Sequence, residues 1–110
     1  MGTIKSSREI DSVFKEAERS AHPLVIVLAR KSTLGRGRAG RVAFIAGKKL
    51  GNAVVRNRSK RVLRETMRRC GGPWGGYDVL LIARAPTATA TTADLDRALG
   101  VLLGKLGIRP

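Results

Sequence analysis

From Asn52 to Cys70 the chain has one apolar side and one cationic side, and only a helix lying on a layer of other residues buries the first without burying the second. At 100° per residue, Val55, Ser59, Val62, Leu63, Thr66, Met67 and Cys70 gather on one face. Asn57, Arg61, Arg64 and Arg68 lie on the opposite side, flanked by Arg58 and Lys60. Asn52 is a good N-cap, and Gly71-Gly72-Pro73 ends the helix. Any fold this chain adopts has to seat that helix on an apolar surface with its arginines turned outward.

The surface comes from three apolar runs rich in β-branched residues: Leu24 to Arg30, Arg41 to Gly47 and Tyr77 to Arg84. The first two flank a Gly- and Arg-rich stretch, Gly35 to Gly40, that reads as a loop joining antiparallel neighbours, with incidental phosphate contact. Ser6-Ser7-Arg8-Glu9 fits a capping box, and Ile10, Val13, Phe14 and Ala17 follow at helical spacing. After the link from Pro86 to Thr92, Leu95, Leu99, Leu102, Leu103 and Leu106 recur as another helix, closed by Gly107. The order is α-β-β-α-β-α, with room for one further short strand. It predicts an α/β (α+β) two-layer sandwich, helices on a small mixed sheet, as one domain over residues 1–110. With 43% hydrophobic residues and 110 residues in all, such a chain can remove roughly two-thirds of its unfolded surface from water.

Charge narrows the function. The formal net charge is +14, and Arg30 to Arg69 holds 14 basic residues against the single acid Glu65. So concentrated a field attracts a polyanion, which makes nucleic acid the leading partner. Arginine outnumbers lysine 15 to 7, which favours bidentate phosphate recognition. Arg56 sits near the apolar border of the helix and reaches toward the sheet side, where Lys48 and Lys49 leave the preceding strand, so basic groups can line two walls of one groove. Aromatic residues are only 4%, which argues against a wide base-stacking platform.

The residues for protein-based catalysis are lacking. His22 is the only histidine and, followed by Pro23, reads as a turn residue. Asp94 and Asp96 do not share a helix face and read as first-turn charges, not as a metal pair. Cys70 faces the core, and Trp74 and Tyr77 anchor a glycine turn. No catalytic side chain and no protein metal ligand is assigned. The lone cysteine fits a reducing cytoplasm, and no apolar run approaches the roughly 20 residues that span a bilayer.

The segment Gly47 to Glu65 resembles the signature of the bacterial ribonuclease P protein component family, K-x-x-G-x-A-V-x-R-N-R-x-K-R-x-x-R-E, at all eleven fixed positions. The likeness continues in order through Val13-Phe14-Lys15, the first two strands and Tyr77 to Arg84. It implies a subunit of a ribonucleoprotein endoribonuclease that removes the 5′ leader of precursor tRNA, in the cytoplasm, with hydrolysis carried by the RNA subunit and its Mg²⁺. The implied partners are the catalytic RNA and precursor tRNA, with no obligate protein partner. Lys48, Lys49, Arg56, Asn57, Arg58, Lys60, Arg61 and Arg64 fall on the RNA-contact positions; Asn52 and Arg68 are included from the helix they share. Ile10, Phe14, Val25, Val27 and Phe44 are candidates for a cleft holding the leader. The resemblance also implies a left-handed β-α-β crossover, against the right-handed rule met in about 98% of such units. Three departures stand out: Ile10 where many members have an aromatic residue, with no aromatic in Leu24 to Arg30 either; a first segment with only Lys5 and Arg8 before the helix core; and Gly47 where serine is usual. A small basic ribosomal protein is the rival reading, and a DNA-binding regulator a second, although no helix-turn-helix pair is present.

Overall fold

A strand paired on both edges and covered on both faces needs apolar residues at nearly every position, and Tyr77–Ala83 (YDVLLIA) meets that need more fully than any other run. In the computed structural model, which describes residues 2–4, 7–32 and 39–108, the elements run β1 (Gly2–Thr3), α1 (Ser7–Glu16), β2 (Glu18–His22), β3 (Val25–Lys31), β4 (Arg41–Ile45), a 3-10 turn (Lys48–Leu50), α2 (Ala53–Arg69), β5 (Tyr77–Ala83) and α3 (Thr92–Lys105). The sheet order is β1-β4-β5-β3-β2. β5 is therefore central, parallel to β4 and antiparallel to β3.

This corrects the expectation that the first two long strands are direct neighbours. β3 and β4 do run in opposite directions, but β5 lies between them, because its apolar run gains most from two partners. The link between β3 and β4 thus spans two strand spacings, about 10 Å. Its Gly-Arg part lies largely outside the described residues, as does Ser6 of the capping box. Two strands were not read from the sequence as such. β1 is the further short strand on the β4 edge. β2, Glu-Arg-Ser-Ala-His, has no apolar alternation, and forms because β3 offers an open edge; its charges suit an edge strand that should not recruit another chain. His22, expected in a turn, ends β2, where its Nδ1 accepts the Leu24 N–H at 3.1 Å.

Alternation along the strands produces two cores. Val25, Val27, Ala29, Val42, Val79, Leu81 and Ala83 face Leu63 and Met67 of α2 and Ala98, Leu99, Leu102 and Leu103 of α3. These make the two layers of the expected sandwich. Leu28, Ala43 and Leu80 face the other way, against Val13 of α1 and Ile4, so α1 adds a partial third layer. Trp74 closes the larger core, donating its indole N–H to the Cys70 carbonyl at 3.2 Å. Gly40 packs directly on the Trp74 backbone, where an added Cβ would lie 2.0 Å from the carbonyl oxygen.

The α1-facing side of the sheet has three rows. Arg41, Asp78 and Arg30 stand side by side, then Ala43, Leu80 and Leu28, then Ile45, Ile82 and Ile26. Asp78 is fully buried. Arg41 donates to it from Nε and a terminal nitrogen, both at 3.0 Å, and Arg30 from Nε at 3.2 Å. The two arginines then reach α1: Arg41 bonds Glu9, while Arg30 bonds Glu16 at 2.8 Å and Ser12 Oγ at 2.6 Å. The Arg41 pKa is raised, first by the hydrogen bond to Asp78 and further by Glu9, against the lowering effect of burial, so it stays charged. Glu9 and Glu16 are seven residues apart, about 10.5 Å along a helix, and the strands they address are about 9.6 Å apart. That match lays α1 across the strands from β4 to β3.

Removing the shared carboxylate leaves two guanidinium groups facing each other across β5, with Glu9 and Glu16 as counterions at the solvent-exposed ends of the network. Asp78→Ala should cost about 3–5 kcal/mol in urea denaturation, whereas Glu16→Gln, at a solvent-exposed partner, should cost less than about 1 kcal/mol. Gly40→Ala should lower stability by about 1–3 kcal/mol in the same assay, since the new methyl group has no space without moving the Trp74 backbone.

Candidate nucleic-acid interface

Two local devices fix the direction of α2. Gly51, at φ 138°, turns the chain out of the Lys48–Leu50 turn through backbone space that favours glycine. Asn52 then caps the helix, its side-chain oxygen accepting the Val55 N–H at 3.1 Å. Asn52, included among the RNA contacts, is thus engaged by its own helix. On the core side the polar residues satisfy themselves locally: Ser59 Oγ donates to the Val55 carbonyl and Thr66 Oγ1 to the Val62 carbonyl, at 2.9 and 2.8 Å. Ser59, Leu63, Thr66 and Met67 are buried, so the opposite side of α2 has to face solvent.

On that side Asn57, Arg58, Arg61, Arg64 and Arg68 are exposed, and Lys60 is half-buried. Lys48 and Lys49 are exposed in the turn just before the helix. Arg56 lies at the border with the sheet, half-buried, and its Nε is buried without a hydrogen-bond partner. The Arg64 guanidinium sits over the Phe44 ring, 5.2 Å from its centre, which holds a long side chain in place at the edge of the face. Three arginines of the basic segment are paired with acids elsewhere: Arg30 and Arg41 in the α1 network, and Arg69 with Asp96 of α3 at 2.9 Å.

The apolar cleft candidates divide between two faces. Ile10 is half-buried beneath α1 and Phe14 is 45% exposed beside it. Val25 and Val27, by contrast, are fully buried under α2 and α3, and Phe44 packs on that same side. They cannot line a cleft beside α1, because strand alternation sends them to the other face. The residues of correct parity are Ile26, Ile45 and Ile82, which form a half-buried row with Ile10 and Ala17 at its margin. The signal was present: Arg30, Asp78 and Arg41 share their parity, and charged residues in otherwise apolar strands mark the less covered face.

Among the described residues no group of three or more His, Cys, Asp or Glu is placed to hold a metal ion, and no helix is long and apolar enough to cross a membrane. Asp94 lies in the first turn of α3, and Asp96 is occupied by Arg69. Cys70 is partly buried at the end of α2; burial pushes its thiol pKa up, Asp96 adds to the rise, and Arg69 opposes it. It is a packing residue, not an activated nucleophile.

The protein-family model for Ribonuclease P matches residues 2–107. A ribonuclease P protein component of Dehalococcoides mccartyi is 50% identical over 68 residues, 62% of this chain and 56% of that relative. One from Syntrophomonas wolfei is 32% identical over 106 residues, 96% of this chain and 87% of the relative. In structure the chain is similar to the RNase P protein of Staphylococcus aureus, with a TM-score of 0.83 at 25% identity over 100% of this chain and 99% of the other. The corresponding values for the Thermotoga maritima RNase P protein are 0.77, 26%, 96% and 97%.

The raised Cys70 pKa makes the thiolate scarce at neutral pH. Iodoacetamide should therefore alkylate Cys70 more slowly in the folded protein than in urea, with the difference shrinking as pH climbs above the ordinary thiol range. Because the unfolded thiol ionises first, this group's contribution to stability is present below that range and lost above it.

Proposed function

Since the chain belongs to the ribonuclease P protein family, we propose that it serves as the protein subunit of that ribonucleoprotein endoribonuclease, with the outward side of α2 docked on the RNA subunit. The family implies partnership with the ribonuclease P RNA. The observation that carries the docking face is the run of exposed Arg58, Arg61, Arg64 and Arg68 beside Lys48 and Lys49, on a helix whose other side is committed to the core. Like charges at helical spacing repel one another, and neutralisation by phosphates relieves that cost.

Precursor tRNA is the proposed substrate, held by its single-stranded 5′ leader along the cleft beside α1. The row of Ile26, Ile45 and Ile82, with Phe14 on the helix above, supplies apolar contact but only one exposed aromatic ring. The grip on leader bases is then mostly by van der Waals contact, and weakly selective for sequence.

Mg²⁺ is assigned, by the family resemblance, to the RNA subunit, and the protein's proposed contribution is to bring substrate and RNA together. In keeping with that reading, Asp78 is fully buried and held by two arginines, while Glu9 and Glu16 end the same network. A rival ribosomal role has no comparable support.

The test is reconstitution with ribonuclease P RNA and a leader-bearing precursor tRNA at low Mg²⁺, where added protein should restore cleavage that the RNA alone performs poorly. The affinity for RNA should fall with salt at a log–log slope of about −0.7 to −0.9 per phosphate contact. The Arg61→Ala, Arg64→Ala double variant should flatten that slope by roughly two contacts while melting at the wild-type temperature. An unaltered slope, or protein that leaves cleavage unimproved, would overturn the reading.

A further inference from the structure

Val54 is 74% exposed, the most exposed of the large apolar side chains among the described residues, and it sits in the first turn of the cationic helix α2. Together with Asn57, Arg58, Arg61 and Val62 it lines a shallow depression of about 520 Å³. These positions are i, i+3, i+4, i+7 and i+8, one stripe that runs from the outward side of α2 at exposed Val54 to the border with its apolar face at half-buried Val62. Glu65, exposed, lies one turn beyond Arg61, with Arg68 one further turn on.

A phosphate gains nothing from a valine floor, and a helix side meant only for water has no use for one. What suits this mixture is a flat partner with apolar faces and a polar edge. Guanidinium groups stack on such faces as readily as they bond phosphate, and the Asn57 carboxamide offers a donor and an acceptor to an edge. A nucleobase has both features. In an A-form duplex base faces are stacked away and the major groove is too narrow for side chains, so only an unpaired base can enter. The charge of the walls excludes a second copy of this chain, whose net charge is +14.

We propose that the depression between Val54 and Val62 on α2 receives one unpaired nucleobase of the ribonuclease P RNA, seated on the valines, flanked by Arg58 and Arg61 and read at its edge by Asn57. The proposal rests on α2 being the RNA-docking side, and it assigns Val54 a contact that charge alone does not predict.

Binding of the full-length protein to ribonuclease P RNA, measured across a salt series, separates the two ideas. Val54→Ser should weaken binding by about fivefold to tenfold at every salt concentration with no change in slope, since it removes apolar contact and no charge. Val54→Leu should stay within about twofold of wild type. Thermal melting should match wild type for both, because the side chain is exposed. Dimethyl sulfate probing should reveal an unpaired nucleotide protected by wild-type protein and exposed again with Val54→Ser. If Val54→Ser binds within twofold of wild type, or if no such nucleotide is found, the base site is refuted. Flattening of the slope by Arg61→Ala and Arg64→Ala would then leave the docking side standing. If those arginine variants also leave the slope untouched, the docking side itself falls and the base site with it.

Discussion

A carboxylate with no access to water has to be answered by cations, and Asp78 is answered by two. Such an arrangement adds little net stability over well-packed apolar residues of the same size, because three charges lose their hydration. What it adds is geometry. Arg30 and Arg41 are held at fixed positions on the two strands flanking β5, and each has a free end that only α1 can satisfy. The helix is drawn toward the ionic end of the sheet, over the first and second rows. The third row, Ile45, Ile82 and Ile26, is left half covered as a direct result. This apolar row stays half open because the ionic network stands at the other end.

The arginines thus serve two purposes that the total charge hides. Some are turned inward, where the planar fork meets several oxygens at once and a lysine would meet fewer. Those on the outer side of α2 form no ion pair among the described residues, and one of them, Arg64, is steadied by an aromatic ring instead. Ser59 and Thr66 make this division possible. By returning their hydroxyl protons to the preceding turn, they let a helix with few large apolar residues bury one whole side.

Much of this could be read from the sequence where pattern and chemistry coincide. The span of α2, its Asn52 cap, its buried and exposed sides and the positions of β3, β4 and β5 all follow from periodicity and turn residues. What could not be read was non-local. Periodicity says which residues share a strand face, but not which face meets which helix, so Val25 and Val27 were assigned to a cleft from which they are shielded. Strand order was equally invisible, because a loop between two strands does not reveal that a later strand will separate them. β2 formed only because a neighbour's edge was open, and the Asp78 network needed six residues from four elements to come together. Val54 differs again: it is a fixed position of the signature, but periodicity alone places it on the cationic side of the helix and does not reveal how far it projects into solvent.

The order β1-β4-β5-β3-β2 also governs how this molecule comes into being. Its middle strand is the last of the five to leave the ribosome. Until then β3 and β4 share no neighbour, Leu63 and Met67 have no complete floor to rest on, and a lone β2-β3 hairpin is marginal in water. The nascent chain therefore exposes a helix thick with arginine, in a compartment crowded with RNA, before it owns a finished body. Closure must wait until β5 and the α3 helix after it have been made, because it joins segments far apart along the chain.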